Sequence, residues 1–162
     1  MLQQFTPDTK TGSGTGPSMG MAMRFQVVVD EVINLGGWRS CKGLSVEFDV
    51  DWVGMVGGHY DYQRPLPTQL KYGAIKLERV VTAKDSPRVQ AWLRDMVDVW
   101  MNGDGSYTGS QVDIALYDPS AAKVAEWTLV NAYPKSWRGP DLDAKSGDFA
   151  IEALELIHEG FL

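Results

Sequence analysis

Cysteine and histidine are both scarce in this chain of 162 residues, and their scarcity limits the chemistry available to it. Cys41 is the single cysteine, so an internal disulfide is impossible and the fold does not depend on an oxidising compartment. We expect a small buried or passive thiol there. His59 and His158 lie far apart in sequence, and neither falls in a metal-ligand spacing such as HExxH. No metal site is predicted.

Basic residues and long apolar runs are also lacking. The chain has 15 Lys and Arg against 21 Asp and Glu, which gives a net charge of -6. Because nucleic-acid binding usually needs a basic stripe that displaces counterions, direct sequence-specific binding of nucleic acid is not expected. No apolar stretch approaches the length that spans a membrane, and the N-terminus lacks a Lys/Arg cluster followed by an apolar run. The expectation is a chain that is made in the cytoplasm, without a membrane span.

The sequence contains no complete catalytic or ligand-binding motif. Gly12 to Gly16 superficially resemble a phosphate-binding loop, but the Gly-Lys-Ser/Thr ending is absent and no strand precedes them. Asp141 and Asp143 lie two apart without the further ligands of a calcium loop, so an Asp-mediated turn is the better interpretation. No serine lies in a GxSxG motif. These observations predict no catalytic residue, no cofactor and no enzymatic activity.

Composition divides the chain near Met21. Residues 1–20 are rich in Gly, Ser, Thr and Pro and carry few large apolar side chains, Phe5 among them, which predicts a flexible N-terminal extension. The chain as a whole is 44% hydrophobic, and its length suits a single core. One structured domain, residues 21–162, is therefore expected.

Six strands and one main helix are predicted for this domain. The Gly36-Gly37 pair is expected to break the chain after the first strand, Asp118 to Ser120 to form a turn, and Pro134 to Pro140 to form a corner before the last strand. Strands and helices do not alternate, which argues against a parallel sheet. The predicted strands are Ala22 to Asp30, Leu44 to Asp51, Gln69 to Val81, Gln111 to Tyr117, Lys123 to Ala132 and Asp148 to His158.

The second predicted strand has a strict period of two. This alternation predicts one buried apolar face and one acidic face. The apolar positions are Leu44, Val46, Phe48 and Val50, and the polar positions are Ser45, Glu47, Asp49 and Asp51.

Residues 52–68 connect the second and third strands and are unusually apolar for a loop. Such side chains would form a sticky patch in solvent, so we expect this tip of an extended hairpin to contact another surface. The large apolar and aromatic members are Trp52, Val53, Met55, Val56, Tyr60 and Tyr62.

A helix is predicted from Ser86, with Ser86 as its cap and Pro87 at its first position. Asn102 to Gly105 are expected to end it. Apolar residues at spacings of three and four form a stripe that should pack against a sheet. The stripe consists of Val89, Trp92, Leu93, Met96, Val97 and Trp100.

Several segments, in order along the chain, resemble contractile tail-tube proteins of the T4 tail-tube type. Cys41 to Glu47 are similar to the family's SGLSVE segment, and Lys71-Tyr72-Gly73 enters the third strand as in the family. Tyr133 to Leu142 resemble a Trp- and Pro-rich corner, with Tyr133 where Trp is common. Ala150 to Gly160 are similar to the ending AIETLELAHEG. The resemblance covers about Met21 to Leu162.

The resemblance implies a mainly β (α+β) subunit, an antiparallel β-sandwich or barrel-like fold with a flanking helix. Such subunits form hexameric rings that stack into a hollow tube, surrounded by a contractile sheath and driven through a target envelope. Baseplate and tube-terminator proteins would be further partners, and the lumen would suit a protein cargo. The domain at residues 21–162 would then be a tail-tube domain of a phage tail-like particle.

Two sets of residues acquire roles under this interpretation. The tip residues become contacts between rings, since buried aromatic side chains dominate interface energetics. The acidic residues Glu47, Asp49 and Asp51 are hypothesised to face the lumen, where one sign of charge would disfavour adhesion of an acidic payload. An ordinary solvated sheet face is an equally weighted alternative for them.

Other functions remain open at this level. Within the same machine, the chain would alternatively be a tube-initiator ring at the baseplate or a secreted hexamer of the type VI kind. A monomeric β-sandwich binding domain or hydrolase is the more distant alternative.

Overall fold

The computed structural model describes residues 24–54, 63–103, 105, 108–145 and 147–162. Within these residues the chain forms nine strands and one helix, all strands pairing antiparallel. The strands are β1 Arg24–Val29, β2 Ile33–Trp38, β3 Ser40–Lys42, β4 Val46–Gly54, β5 Gln63–Tyr72, β6 Ile75–Val80, β7 Ser110–Tyr117, β8 Lys123–Arg138 and β9 Ile151–Ile157, and the helix α1 is Ser86–Asn102. The predicted mainly β class with one helix is confirmed.

Seven strands form one sheet in the order β2-β1-β7-β8-β9-β6-β3. Arg39 alone separates β2 from β3, which lie at opposite ends of that order. The sheet must therefore curl enough to bring the end of β2 next to the start of β3, without closing into a barrel within the described residues. The sheet turns at Arg39 and again within the 16-residue β8. The first part of β8 pairs with β7 and its second part pairs with β9. The change of partner falls beside Asn131, whose φ is 53°.

The two halves of this curled sheet, joined through β8, form a β-sandwich-like fold, and the core lies inside it and under the helix. Alternate positions of β1, β6, β7 and β9 point inward, as the period of two requires. The fully buried apolar side chains among the described residues are Val27, Val29, Leu35, Ile75, Leu77, Val89, Val112, Leu129, Ala132 and Leu156.

The predicted break at Gly36-Gly37 is wrong, because both glycines lie inside β2. Gly36 has a φ of 87° and sits where the register between β1 and β2 shifts, at Val27 and Val28. A Cβ at Gly36 would lie 2.4 Å from Cγ of Asp85. The glycine therefore serves a bulge in a continuous strand and a close approach of the helix start.

The predicted third strand is two strands, β5 and β6, separated by Gly73 and Ala74. β5 pairs with β4, whereas β6 pairs with β3 and β9. The predicted hairpin is thus confirmed, but it forms a separate two-stranded sheet.

The predicted corner at Pro134 to Pro140 begins too early, because β8 continues through Pro134 to Arg138. The register between β8 and β9 shifts between Pro134 and Ser136. A bulge accommodates the missing N–H of proline within a strand, which explains why the strand does not end there.

The helix is confirmed, but it begins at Ser86, one residue before the predicted first position Pro87, and its N-cap is Asp85, which makes no side-chain cap hydrogen bond. The Oγ of Ser86 accepts a hydrogen bond from the Thr82 N–H at 3.0 Å and donates to Oε1 of Glu152 at 2.7 Å. Val97 and Trp100, predicted to pack, are 51% and 70% exposed. The buried stripe is therefore narrower than predicted.

In the part of the chain that the structure describes, no helix has both the length and the apolar character needed to cross a membrane.

Candidate assembly surfaces

The hairpin of β4 and β5 stands apart from the main sheet. Gly43 and Gly73 form its base, where the segment that leads into β4 passes very close to the segment that follows β5. Gly43 has a φ of 95°, and a Cβ there would lie 1.9 Å from the carbonyl oxygen of Ala74. Ser45 links the two glycines, since its N–H donates to the Gly43 carbonyl at 2.8 Å and its carbonyl accepts from the Gly73 N–H at 3.1 Å. Only glycine fits this crossing, which sets the angle at which the hairpin leaves the sandwich.

One face of the hairpin is apolar and exposed. Directly opposed residues share a face, so Phe48 lies beside Leu70, and Trp52 beside Pro65. Phe48 is 59% exposed, Trp52 63% and Leu70 46%. The alternation was expected to bury this face, but the single chain does not bury it, because the main packing partner of β4 among the described elements is β5 alone. Exposed apolar faces of this kind mark protein interaction surfaces.

The opposite face of the hairpin carries the three predicted acidic residues. Glu47 and Asp51 are exposed and Asp49 is half-buried. By register, Lys71 lies across from Glu47, and its Nζ is 2.5 Å from Oδ2 of Asp49. The hydrogen bond to Asp49 raises the pKa of Lys71. Arg64 lies on the same face opposite Val53. The face is therefore mixed in charge, with Glu47 and Asp51 as its acids that form no ion pair among the described residues.

The structure describes only part of the predicted tip. Trp52 is on the apolar face and Val53, 49% exposed, is on the charged face. Met55, Tyr60 and Tyr62 lie outside the described residues.

A second exposed apolar surface was missed by the sequence reasoning. A groove of about 240 Å³ lies between α1 and the second half of β8. Val97 and Trp100 line one wall, and Trp137 lines the other. Met101 beside it is 71% exposed. The signal was present in the sequence, because the apolar stripe of α1 is broader than one helix face can bury.

The described residues that were considered as candidates for chemistry make hydrogen bonds within the fold or are buried in it. Nε2 of His158 lies 3.0 Å from the carbonyl oxygen of Gly73, and His59 lies outside the described residues. Oδ1 of Asp143 accepts the Lys145 N–H at 2.9 Å, which confirms the predicted Asp-mediated turn. Burial raises the pKa of Cys41 to about 11, so this thiol is protonated at neutral pH. In the described residues no three His, Cys, Asp or Glu side chains come together as a metal site.

Several solved structures are similar to this fold over most of the chain. A chain of the anti-feeding prophage baseplate is 26% identical, with a TM-score of 0.60 over 85% of this chain and 88% of that chain. A chain of the PVC sheath-tube complex, from an extracellular contractile injection system, is 21% identical, with a TM-score of 0.61 over 96% of each chain. A chain of the anti-feeding prophage tube-terminating cap is 18% identical, with a TM-score of 0.63 over 94% of this chain and 95% of that chain. The fold is therefore that of components of phage-tail-like contractile particles.

The sequence also matches a family model, which assigns the chain to a protein family. Residues 21–162 match the model of the T4-like virus tail tube protein gp19 family, and the chain belongs to this family. The expected resemblance over Met21 to Leu162 is confirmed. The comparison with curated proteins gave no match.

Proposed function

We propose that this chain is the structural subunit of the inner tube of a contractile injection machine. Hexameric rings of the subunit stack into a hollow conduit, which a contracting sheath drives through a target envelope. The exposed apolar face of the hairpin is the observation that carries the proposal, since Phe48 and Trp52 are each more than half exposed in a tail-tube fold. An oligomer is the simplest way to cover them.

Ring closure would use the free edges of the hairpin. Among the described residues β4 and β5 pair only with each other, so each strand has an outer edge of unsatisfied backbone groups. Hairpins set side by side around a ring would pair these edges and leave none exposed. Contacts that differ on the two sides of each subunit close into rings and also repeat along an axis.

The two faces of the hairpin would then differ in environment. Near the hairpin base, the apolar face with Phe48 and Leu70 would pack inward against the sandwiches, and the charged face with Glu47, Asp49 and Asp51 would line the lumen. Glu47, Asp49 and Asp51 outnumber Lys71 and Arg64 on this face. The described residues would therefore give the lumen a net acidic charge, which would disfavour adhesion of an acidic cargo. Protein cargo fits such a channel better than nucleic acid does.

The hairpin tip would provide contacts between successive rings. Aromatic side chains dominate interface energies when they become fully desolvated. Trp52 and Val53 are exposed at the described end of the hairpin. The proposed inter-ring set is Trp52, Val53, Met55, Tyr60 and Tyr62.

A position at one end of the tube is the second candidate. One similar chain comes from a baseplate and another from a tube-terminating cap. Under this alternative the chain is an initiator ring, or a secreted hexamer of the type VI kind. Deleting residues 1–20 tests a specialised role for the extension, because normal tube assembly without it excludes a part for it in polymerisation.

Sheath, baseplate and terminator proteins are the proposed partners of the subunit. We also propose that the subunit is synthesised in the bacterial cytoplasm.

Negative-stain microscopy and size-exclusion chromatography of the purified full chain test the main proposal. The expected result is rings with six-fold end views, and tubes at higher concentration. A chain that remains monomeric, with neither rings nor tubes, contradicts the proposal and favours a monomeric binding domain or hydrolase.

The variant Trp52→Ala with Tyr60→Ala tests the tip. It is expected to keep the circular-dichroism spectrum of the wild type and the rings while abolishing stacking. Val32→Ala is the matched control, since Val32 is 83% exposed in the turn between β1 and β2, away from the hairpin. Tube yield from the double variant equal to that of the control would remove the tip from the interface.

A further inference from the structure

An apolar cavity of about 320 Å³ opens at the end of the sandwich where β1 begins. Its apolar lining consists of Phe25, Leu44, Ile114, Leu116 and Trp127. Phe25 and Ile114 are buried, whereas the other three are only partly buried and pack against the core. The cavity is thus an open extension of the hydrophobic core, and the strands around it leave it unfilled.

The chain itself reaches this cavity from its N-terminal side. β1 starts at Arg24, directly before Phe25, so residues 1–23 enter the fold at the rim of the cavity. Their composition combines a few apolar side chains near the N-terminus, which would serve as an anchor, with a Gly- and Ser-rich linker, or tether, that leads to β1. Phe5 is their only aromatic residue and follows Met1 and Leu2, while residues 11–20 are mostly Gly, Ser, Thr and Pro.

We propose that the cavity is a docking site for the N-terminal segment of the same chain, with Phe5 as the side chain that fills it. A buried aromatic side chain removes about 150–250 Å² from water, which suits the apolar lining. Asp8, the only acidic residue among residues 1–23, would lie near Arg39 and Lys42, exposed side chains that also line the cavity.

The tether favours the chain's own cavity over that of a neighbour. A Gly- and Ser-rich chain between Phe5 and Arg24 spans roughly 20–25 Å on average, so it reaches back to a cavity at its own base without strain. Tethering of this kind gives an effective concentration in the millimolar range. For the unassembled subunit, a neighbouring copy in solution at micromolar concentration cannot compete with it.

Cys41 lies in the cavity wall and is the only cysteine, so it serves as a reporter. The variant Phe5→Cys in the full chain is oxidised at micromolar concentration with glutathione disulfide at pH 8.5. Ser13→Cys is the matched control, since it lies nearer to β1 on the tether but outside the anchor. We expect an intramolecular disulfide with Cys41 to form at least tenfold faster from Phe5→Cys than from Ser13→Cys. Equal rates overturn the proposal, and so do disulfide-linked dimers, which would assign the site to a neighbouring copy.

A second measurement leaves residue 5 without a thiol. Alkylation of Cys41 by an uncharged reagent should be several-fold faster in Phe5→Ala than in the wild type, and Phe5→Leu should restore slow alkylation. The wild-type rate should not depend on protein concentration. The same rate in wild type and Phe5→Ala means that Phe5 does not cover the cavity and overturns the proposal.

Discussion

Arg79 and Glu152 face each other across β6 and β9 as a buried ion pair, with Nε of Arg79 2.5 Å from Oε1 of Glu152. Both side chains are almost wholly buried, at 2% and 0% exposure. Glu152 also accepts hydrogen bonds from Ser86 at the start of α1 and from Nε1 of Trp137 on β8, at 2.7 and 3.3 Å. Arg79 donates to the Leu35 carbonyl of β2. The pair therefore connects the helix and both halves of the sandwich.

Replacing Glu152 with Gln should destabilise the chain strongly. The substitution keeps the size of the side chain but leaves the Arg79 charge buried without a counter-charge, and breaking a buried pair in this way costs about 3–5 kcal/mol. Urea unfolding of the wild type and the variant measures the loss. Glu155→Gln on the same strand is the control, because the Glu155 pair with Lys135 is at the surface, where solvent screens it, and its loss should be small beside that of Glu152.

Removing both charges separates the contribution of charge pairing from that of the hydrogen bonds around the pair. Arg79→Met with Glu152→Leu replaces the pair by apolar side chains of similar volume, an exchange that is often neutral or stabilising. The double variant should therefore be more stable than Glu152→Gln alone. A double variant no more stable than the single one would show that the hydrogen bonds to Ser86 and Trp137, rather than charge pairing, stabilise this region.

Arg79 also shows where pattern reasoning stops. Ile75 and Leu77 alternate inward on β6, and the next inward position is Arg79. A charged residue in an apolar register gives no sign of its partner, which lies 73 residues away in sequence. Periodicity predicted the class, the hairpin and the helix, because these depend on local spacing. It missed β2 because Gly36 lies in a bulge that only the partner strand and Asp85 explain.

Gly43→Ala should destabilise the base of the hairpin. The residue has a φ of 95°, where a Cβ is strained, and the added methyl would lie 1.9 Å from the Ala74 carbonyl oxygen. We expect a loss of about 2 kcal/mol or more in denaturant unfolding, together with reduced assembly because the hairpin is misdirected. Gly54→Ala is the control, since among the described residues no atom beyond its own chain neighbours lies within 4 Å of a Cβ there. A Gly43→Ala variant as stable as Gly54→Ala would contradict the crowded crossing.

The candidate surfaces were only half accessible to sequence reasoning. Alternation in β4 correctly placed Phe48 and Val50 on one face and Glu47 and Asp49 on the other, because successive side chains of a strand point to opposite faces. It predicted burial of the apolar face, however, because a period of two cannot tell whether the covering surface belongs to the same chain. The presence of Lys71 on the acidic face depends on pairing with β5, which the strand's own sequence does not contain.

Trp92→Ala and Trp100→Ala should differ sharply although both lie on α1. Trp92 is 2% exposed, so its truncation leaves a cavity and should cost about 3–5 kcal/mol. Trp100 is 70% exposed, and its truncation in the isolated subunit should change the free energy of unfolding by about 0.5 kcal/mol or less. Chemical denaturation of both variants under the same buffer gives the comparison. Equal losses would contradict the narrow buried stripe of the helix.

Cys41 should make the folded chain less stable at alkaline pH. Burial raises the pKa of this thiol from 9.0 to about 11 in the folded chain. Between these values the unfolded chain has lost the proton while the folded chain retains it, so the free energy of unfolding falls as pH rises from about 9 to about 11. Below pH 9 the thiol is protonated in both states and contributes no slope. Other groups titrate in the same range, and Cys41→Ala separates them, because the variant should lose stability less steeply than the wild type over this interval. Identical slopes in urea unfolding at pH 8, 9, 10 and 11 would show that the thiol ionises equally easily in both states.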